Sequence, residues 1–135
     1  MRVIVFRGKS PSGWKYGDLL QYHDEAYIFD THLKVANSVD SETVGQYTGL
    51  IDRNDEMIFE GDIIVLPGVR WNDLENKPLI VAFHDGTFGY IEPEQYFKDN
   101  GEWFPSFNDS VHGMDTEWDA EIIGNIYDNP ELIGR

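Results

Sequence analysis

The sequence contains no cysteine, which excludes disulfides, thiolate-held metals and a cysteine nucleophile. That fits a reducing compartment, and the cytoplasm is the expected location. No apolar run approaches the ~18 residues of a membrane-spanning helix. The opening MRVIVFRGKSPSG has too short an apolar run for a signal peptide and lacks a small-residue cleavage site. A soluble chain with no membrane partner is expected. Basic residues are scarce: 10 Lys and Arg stand against 25 Asp and Glu, a formal charge of −15. Phosphate backbones are normally met by Lys and Arg, so direct binding to DNA or RNA is disfavoured. A basic partner, or competition with nucleic acid for such a partner, remains compatible with the charge.

Recognisable chemistry is scarce too. None of GxGxxG, GxxxxGK[ST], GxSxG, HExxH or HxH occurs. Asp52, Asn54 and Glu56 alternate like the start of an EF-hand loop, but Met57 stands where that loop needs glycine and Ile63 where it needs glutamate. A hairpin tip is the simpler expectation for this segment. His84 neighbours Asp85 at a turn, and His112 lies near Ser110, Asp115 and Glu117. Closeness along the chain makes no triad, because a triad is assembled by the fold and needs an oxyanion hole. An enzyme hidden here would need a deep pocket bringing His84 or His112 beside carboxylates. No catalytic, cofactor-binding or metal-ligating residue is assigned.

What is present is the signature of a compact, mostly β chain. The hydrophobic fraction is 41% and the aromatic fraction 14%, enough apolar surface to offset ordering entropy. Val3 to Phe6 reads as a strand and SPSG, residues 10–13, as a turn. WKYGDLLQYHDEAYIFD reads as two strands meeting around His23, Asp24 and Glu25. The polar VANSVDSETVG is expected to cross the surface, with a helical turn possible over Ser41 to Val44. GQYTGLID and AEIIGNIYD read as further strands, with Asn54 and Asp55 holding a turn at positive φ, and in MIFEGDIIVL Gly61 and Asp62 read as the entry to a strand over Ile63 to Leu66 that Pro67 and Gly68 end. LIVAFHDGTFGYIE is the clearest hairpin, its turn at Asp85-Gly86. A short helix is expected from Pro93, and a single turn from Pro130. Short strands with frequent turns point to a small barrel or sandwich.

From Glu92 onward eleven acids face only Lys98 and Arg135. Within this third, residues 98–119 read as a long loop carrying Trp103, Phe104, Phe107 and Trp118 among Asp109, Asp115 and Glu117. These aromatics either fold back as a local core under the loop or form a surface for a basic protein partner.

DSETVGQYTGLIDRNDEMIFEGDII and AEIIGNIYDNPEL resemble the two signatures of the YopX family of phage and prophage proteins; VIVFRG and YGDL resemble its start more loosely. Asp55 departs from that pattern, in which the turn usually continues from Asn with Gly; Asp tolerates the left-handed region well enough to keep the hairpin. The resemblance implies a mainly β protein with an SH3-like barrel, acting in a bacterial host. It brings no catalytic residues with it. On this reading the chain is one unit, with strands and a hairpin over residues 1–40 and the barrel over 41–135. Gly45, Gln46, Tyr47, Thr48, Gly49, Glu60, Gly61, Asp62, Gly124, Asn125 and Pro130 carry the signatures, with structural roles expected. Three functions follow as expectations: a protein-interaction module, an acidic decoy for a nucleic-acid-binding protein, or an unrecognised enzyme. Exposed sheet edges also make a homo-oligomer an expected form.

Overall fold

The computed structural model describes residues 3–67, 76–84, 86–96, 111–113 and 120–134. The chain is mainly β and divides into two compact units, residues 1–49 and 50–135.

In the first unit β1 (Phe6–Ser10), β2 (Gly13–Tyr22), β3 (Glu25–Asp30) and the start of β4 (Val35–Ile51) pair antiparallel. A β1–β4 pairing closes the series on itself. The Ser10–Gly13 turn forms as its composition suggests: the Ser10 hydroxyl donates to the Gly13 carbonyl at 2.8 Å. β2 changes neighbours halfway, residues 13–17 pairing with β1 and 18–22 with β3. Gly17 sits at that change, where a Cβ would come within 2.0 Å of the Phe29 carbonyl oxygen. No other residue fits there. At the β3–β4 turn, Asp30 Oδ1 accepts the backbone N–H groups of His32 (2.9 Å) and Leu33 (3.0 Å). The Leu33 bond is the main reason the carboxyl titrates below its ordinary range. Ala26, Ile28 and Val39 form the core of this unit, with Phe6, Leu19 and Val44 packed against it.

The stretch expected to cross the surface, VANSVDSETVG, is instead part of β4, a strand of 17 residues. Its polarity misleads because long portions have solvent on one side, while Val39, Thr43, Gly45 and Thr48 are buried. The helical turn expected at Ser41 to Val44 is an irregularity within the strand. Register jumps from Arg7↔Gly45 to Lys9↔Asp40. Asp40 Oδ1 accepts the Glu42 N–H at 3.0 Å, and the Thr43 hydroxyl donates to the Asp40 carbonyl while accepting the Lys9 N–H at 2.8 Å. Side-chain hydrogen bonds thus replace the ladder bonds that the jump removes.

In the second unit β5 (Met57–Phe59) pairs with β4, and an antiparallel sheet runs in the order β10 (Glu121–Asn125), β6 (Asp62–Val65), β7 (Leu79–His84), β8 (Thr87–Ile91), β9 (Val111–Gly113). The β7–β8 hairpin matches its sequence reading, with Gly86 at φ 79°. β7 is apolar on both sides because both its faces are covered. Leu79 and Val81 join Ile58, Ile64, Leu66, Tyr90 and Ala120 in one cluster. Ile80 and Ala82 join Ile91 in another, against which Tyr96, Ile126 and Ile133 pack. Burying each large aliphatic side chain contributes about 1.5–3 kcal/mol. Tyr96 comes from α1 (Pro93–Tyr96) and Ile133 from a single 3-10 turn (Pro130–Ile133), as Pro93 and Pro130 suggested, while Ile126 directly follows β10. The segment read as one long loop, residues 98–119, contains β9, which pairs with β8 through Gly89↔Gly113 to Ile91↔Val111. Three residues are too few to show a period in sequence.

Candidate functional site

The polar residues of the two signature stretches meet in the second unit, and they bind backbone. Asp52 is only 5% exposed. Its Oδ1 accepts the N–H groups of Asn54 (2.8 Å) and Glu56 (2.9 Å), and its Oδ2 accepts that of Ile122 on β10 (3.1 Å). The neighbouring Arg53 N–H donates to the Ala120 carbonyl at 2.9 Å. One carboxylate therefore shapes the 52–56 turn and fastens it to a strand seventy residues away in sequence. Asp55 holds φ 63° there, as its tolerance of the left-handed region suggested.

Asp62 is buried and accepts the Phe59 N–H at 2.8 Å, bracing the β5–β6 turn. Gly61, within that turn at φ +88°, donates to the Val81 carbonyl and accepts from Ile126, both at 2.9 Å. Tyr127 lies over it, 3.1 Å from where a Cβ would stand. Asn125 Oδ1 accepts the N–H groups of Tyr127 (3.0 Å) and Asp128 (2.9 Å), and Asn129 Oδ1 accepts that of Asn125 (3.2 Å). Gly124 leaves room for this, since a Cβ would stand 2.6 Å from Asn129 Oδ1. Pro130 then starts the 3-10 turn.

Of the remaining signature residues, all but Glu60 lie on β4. Gly45 and Gln46 pair with Arg7 and Phe6, Tyr47 donates its N–H to the Val5 carbonyl at 2.8 Å, and Thr48 is buried. Gly49 adopts φ +91°. Glu60 lies close enough to Tyr96 to add to the burial that pushes that phenol's pKa up.

The candidate partner residues Trp103, Phe104, Phe107, Trp118, Asp109, Asp115 and Glu117 lie outside the described residues. So do the side chains of His84 and His112. Among the described residues no three His, Asp or Glu side chains converge as a metal site requires. A shallow cavity of about 210 Å³ lies between Pro78, Pro93, Leu132 and Ile133, with the Lys77–Glu92 ion pair (3.0 Å) on its wall.

Two features escaped the sequence. The first is the burial of Asp52, for which Asp-x-Asn was a signal only as a turn. The second is an apolar outer face on β2, where Tyr16, Leu20 and Tyr22 are 51%, 48% and 69% exposed.

A family model described as YopX protein matches residues 12–134. The chain belongs to the YopX family. The signatures of this YopX chain coincide with the turn and strand-end contacts described above, which explains why they look specific without resembling a reaction centre. Comparison with curated proteins gave no match. Among solved structures, the chain is similar to protein EF1440 from Enterococcus faecalis, at 20% identity and a TM-score of 0.51, over 98% of this chain and 99% of that one. At that identity the likeness concerns fold alone.

Proposed function

We propose that this YopX chain is a non-enzymatic protein-interaction module acting in the cytoplasm of a bacterial host. The observation that supports this reading is the use of the signature polar groups: Asp52, Asp62, Asn125 and Asn129 all accept backbone N–H groups. Those bonds rigidify a scaffold, and rigid scaffolds present surfaces. The same proposal includes the finer architecture, an SH3-like barrel within residues 41–135 that displays the aromatic and acidic segment 98–119 to a protein partner.

A second reading is favoured by the distribution of charge. Residues 50–135 hold 19 acids and 5 bases, whereas residues 1–49 hold 6 acids and 5 bases. A field concentrated in that way suits an acidic decoy occupying the nucleic-acid site of a host protein.

One capture experiment separates the two. The full chain is immobilised, exposed to host lysate and washed at rising salt, with duplex DNA added in parallel. The module reading predicts a specific partner that survives high salt and ignores DNA. Release by salt and by DNA would establish the decoy instead. A lysate from which nothing specific is retained would contradict both.

A further inference from the structure

We propose that the outer face of the β2–β3 hairpin is a docking surface for an arginine-bearing segment of a protein partner. This deepens the interaction reading and rests on it.

Side chains alternate along β2, so Tyr16, Asp18, Leu20 and Tyr22 share one face. The register places Tyr27 opposite Leu20 and Glu25 opposite Tyr22, extending that face across β3. Its reverse side already fills the core of the unit, with Leu19 packed against Ile28 and Ala26. The exposed rings are therefore not a core awaiting completion by this sheet. On β4, Ser38 stands opposite Tyr27 and Ala36 opposite Phe29. Small side chains therefore flank Tyr27 and Phe29 on the β4 side.

Charge selects the occupant. Residues 1–49 are nearly balanced in acids and bases, yet the outward positions of β2 and β3 carry acids alone, Asp18 and Glu25. The bases nearest this face, Arg7 and Lys9 on β1, stand opposite Tyr16 and Trp14, away from the Leu20–Tyr22 end of the hairpin. Lys15 alternates to the other side, Lys34 lies in the β3–β4 turn, and Arg7, opposite Tyr16 on β1, is buried with its guanidinium 4.7 Å from the Trp14 ring centre. The Tyr27 hydroxyl donates to Glu25, orienting that carboxylate at the end of the hairpin. Aromatic faces interleaved with carboxylates match a guanidinium, which stacks on rings and bonds carboxylates in a fork. Lysine lacks that planar fork. A nucleic acid would be repelled, and a two-fold copy of this face would set Asp18 and Glu25 against acids of the same kind.

The test uses the isotope-labelled full chain and two synthetic peptides alternating Leu with either Arg or Lys, followed by amide NMR. The expected result is shifts confined to residues 16–29, with the Arg peptide at least about tenfold tighter than the Lys peptide. Leu20→Ser and Tyr22→Ser lie on exposed positions and should weaken it about tenfold without moving the melting temperature. Asp18→Asn with Glu25→Gln should erase the preference for Arg. Shifts mapping to residues 50–135, or binding unchanged in Leu20→Ser and Tyr22→Ser, would overturn the proposal. A wild-type dimer that these substitutions dissociate would overturn it in favour of a second copy. If the hairpin fails these tests while a lysate partner is still captured, the interaction reading stands and only this surface is lost.

Discussion

Glycine and aspartate carry the specificity of this chain at the residue scale, each for a stated geometric reason. Gly17→Ala would drive a Cβ into the Phe29 carbonyl, backbone that cannot step aside. The expected outcome is loss of cooperative folding in the first unit, seen as collapse of amide dispersion for residues 6–46. Gly124→Ala is milder, because Asn129 is a side chain that can move, though moving it removes the acceptor for Asn125 N–H. About 1–3 kcal/mol of destabilisation is expected from that overpacking, measurable by urea unfolding. Asp52→Ala would strip acceptors from three backbone N–H groups at once. Asn54 and Glu56 are exposed and their N–H groups can turn to water, so a loss of about 1–3 kcal/mol is expected, mainly from the lost bond to β10. A chain variant melting within about 2 °C of the wild type would show that these bonds are dispensable.

At the scale of elements, the sequence was most readable where a strand had one wet face or a turn had a demanding residue. The β2–β3 and β7–β8 hairpins, the Asp55 turn and the Pro130 turn all carried local signals and formed where those signals placed them. β4 was illegible because its polar run depends on partners: Thr43 and Asp40 make sense only once β1 lies beside them. β9 was illegible because three residues have no period, and its partner β8 supplies the reason for it. The site was less legible than the fold, since burial of Asp52 requires β10 to be brought alongside a distant turn. Tyr96, from α1, offers a pH test of such packing. Burial, then the charge of Glu60, raise its pKa above the ordinary 10.0, so folding favours the neutral phenol. Its contribution is complete below the unfolded value and is lost as pH rises through the folded one. Tyr96→Phe should therefore flatten the fall in stability above pH ~10 relative to the wild type. Parallel alkaline limbs in the two proteins would show that Tyr96 is not packed in this way.

The whole molecule separates two jobs that its sequence mixes. Signature residues bind backbone and fix turns, and we propose that the exposed aromatic positions and the uneven distribution of charge meet other molecules. Family membership and the likeness to the Enterococcus faecalis structure bear on the first job, and the proposed interaction bears on the second. Substitutions that only weaken the scaffold should lower binding in proportion to unfolding. Substitutions on the docking face should lower binding at unchanged stability. The most direct measurement is quantitative capture from host lysate by the wild type and by Leu20→Ser/Tyr22→Ser, side by side, with both melting temperatures recorded. The account predicts that the salt-resistant partner is lost from the double variant while its melting temperature stays within about 2 °C of the wild type. Equal recovery of that partner by the two proteins would contradict the docking face on the β2–β3 hairpin.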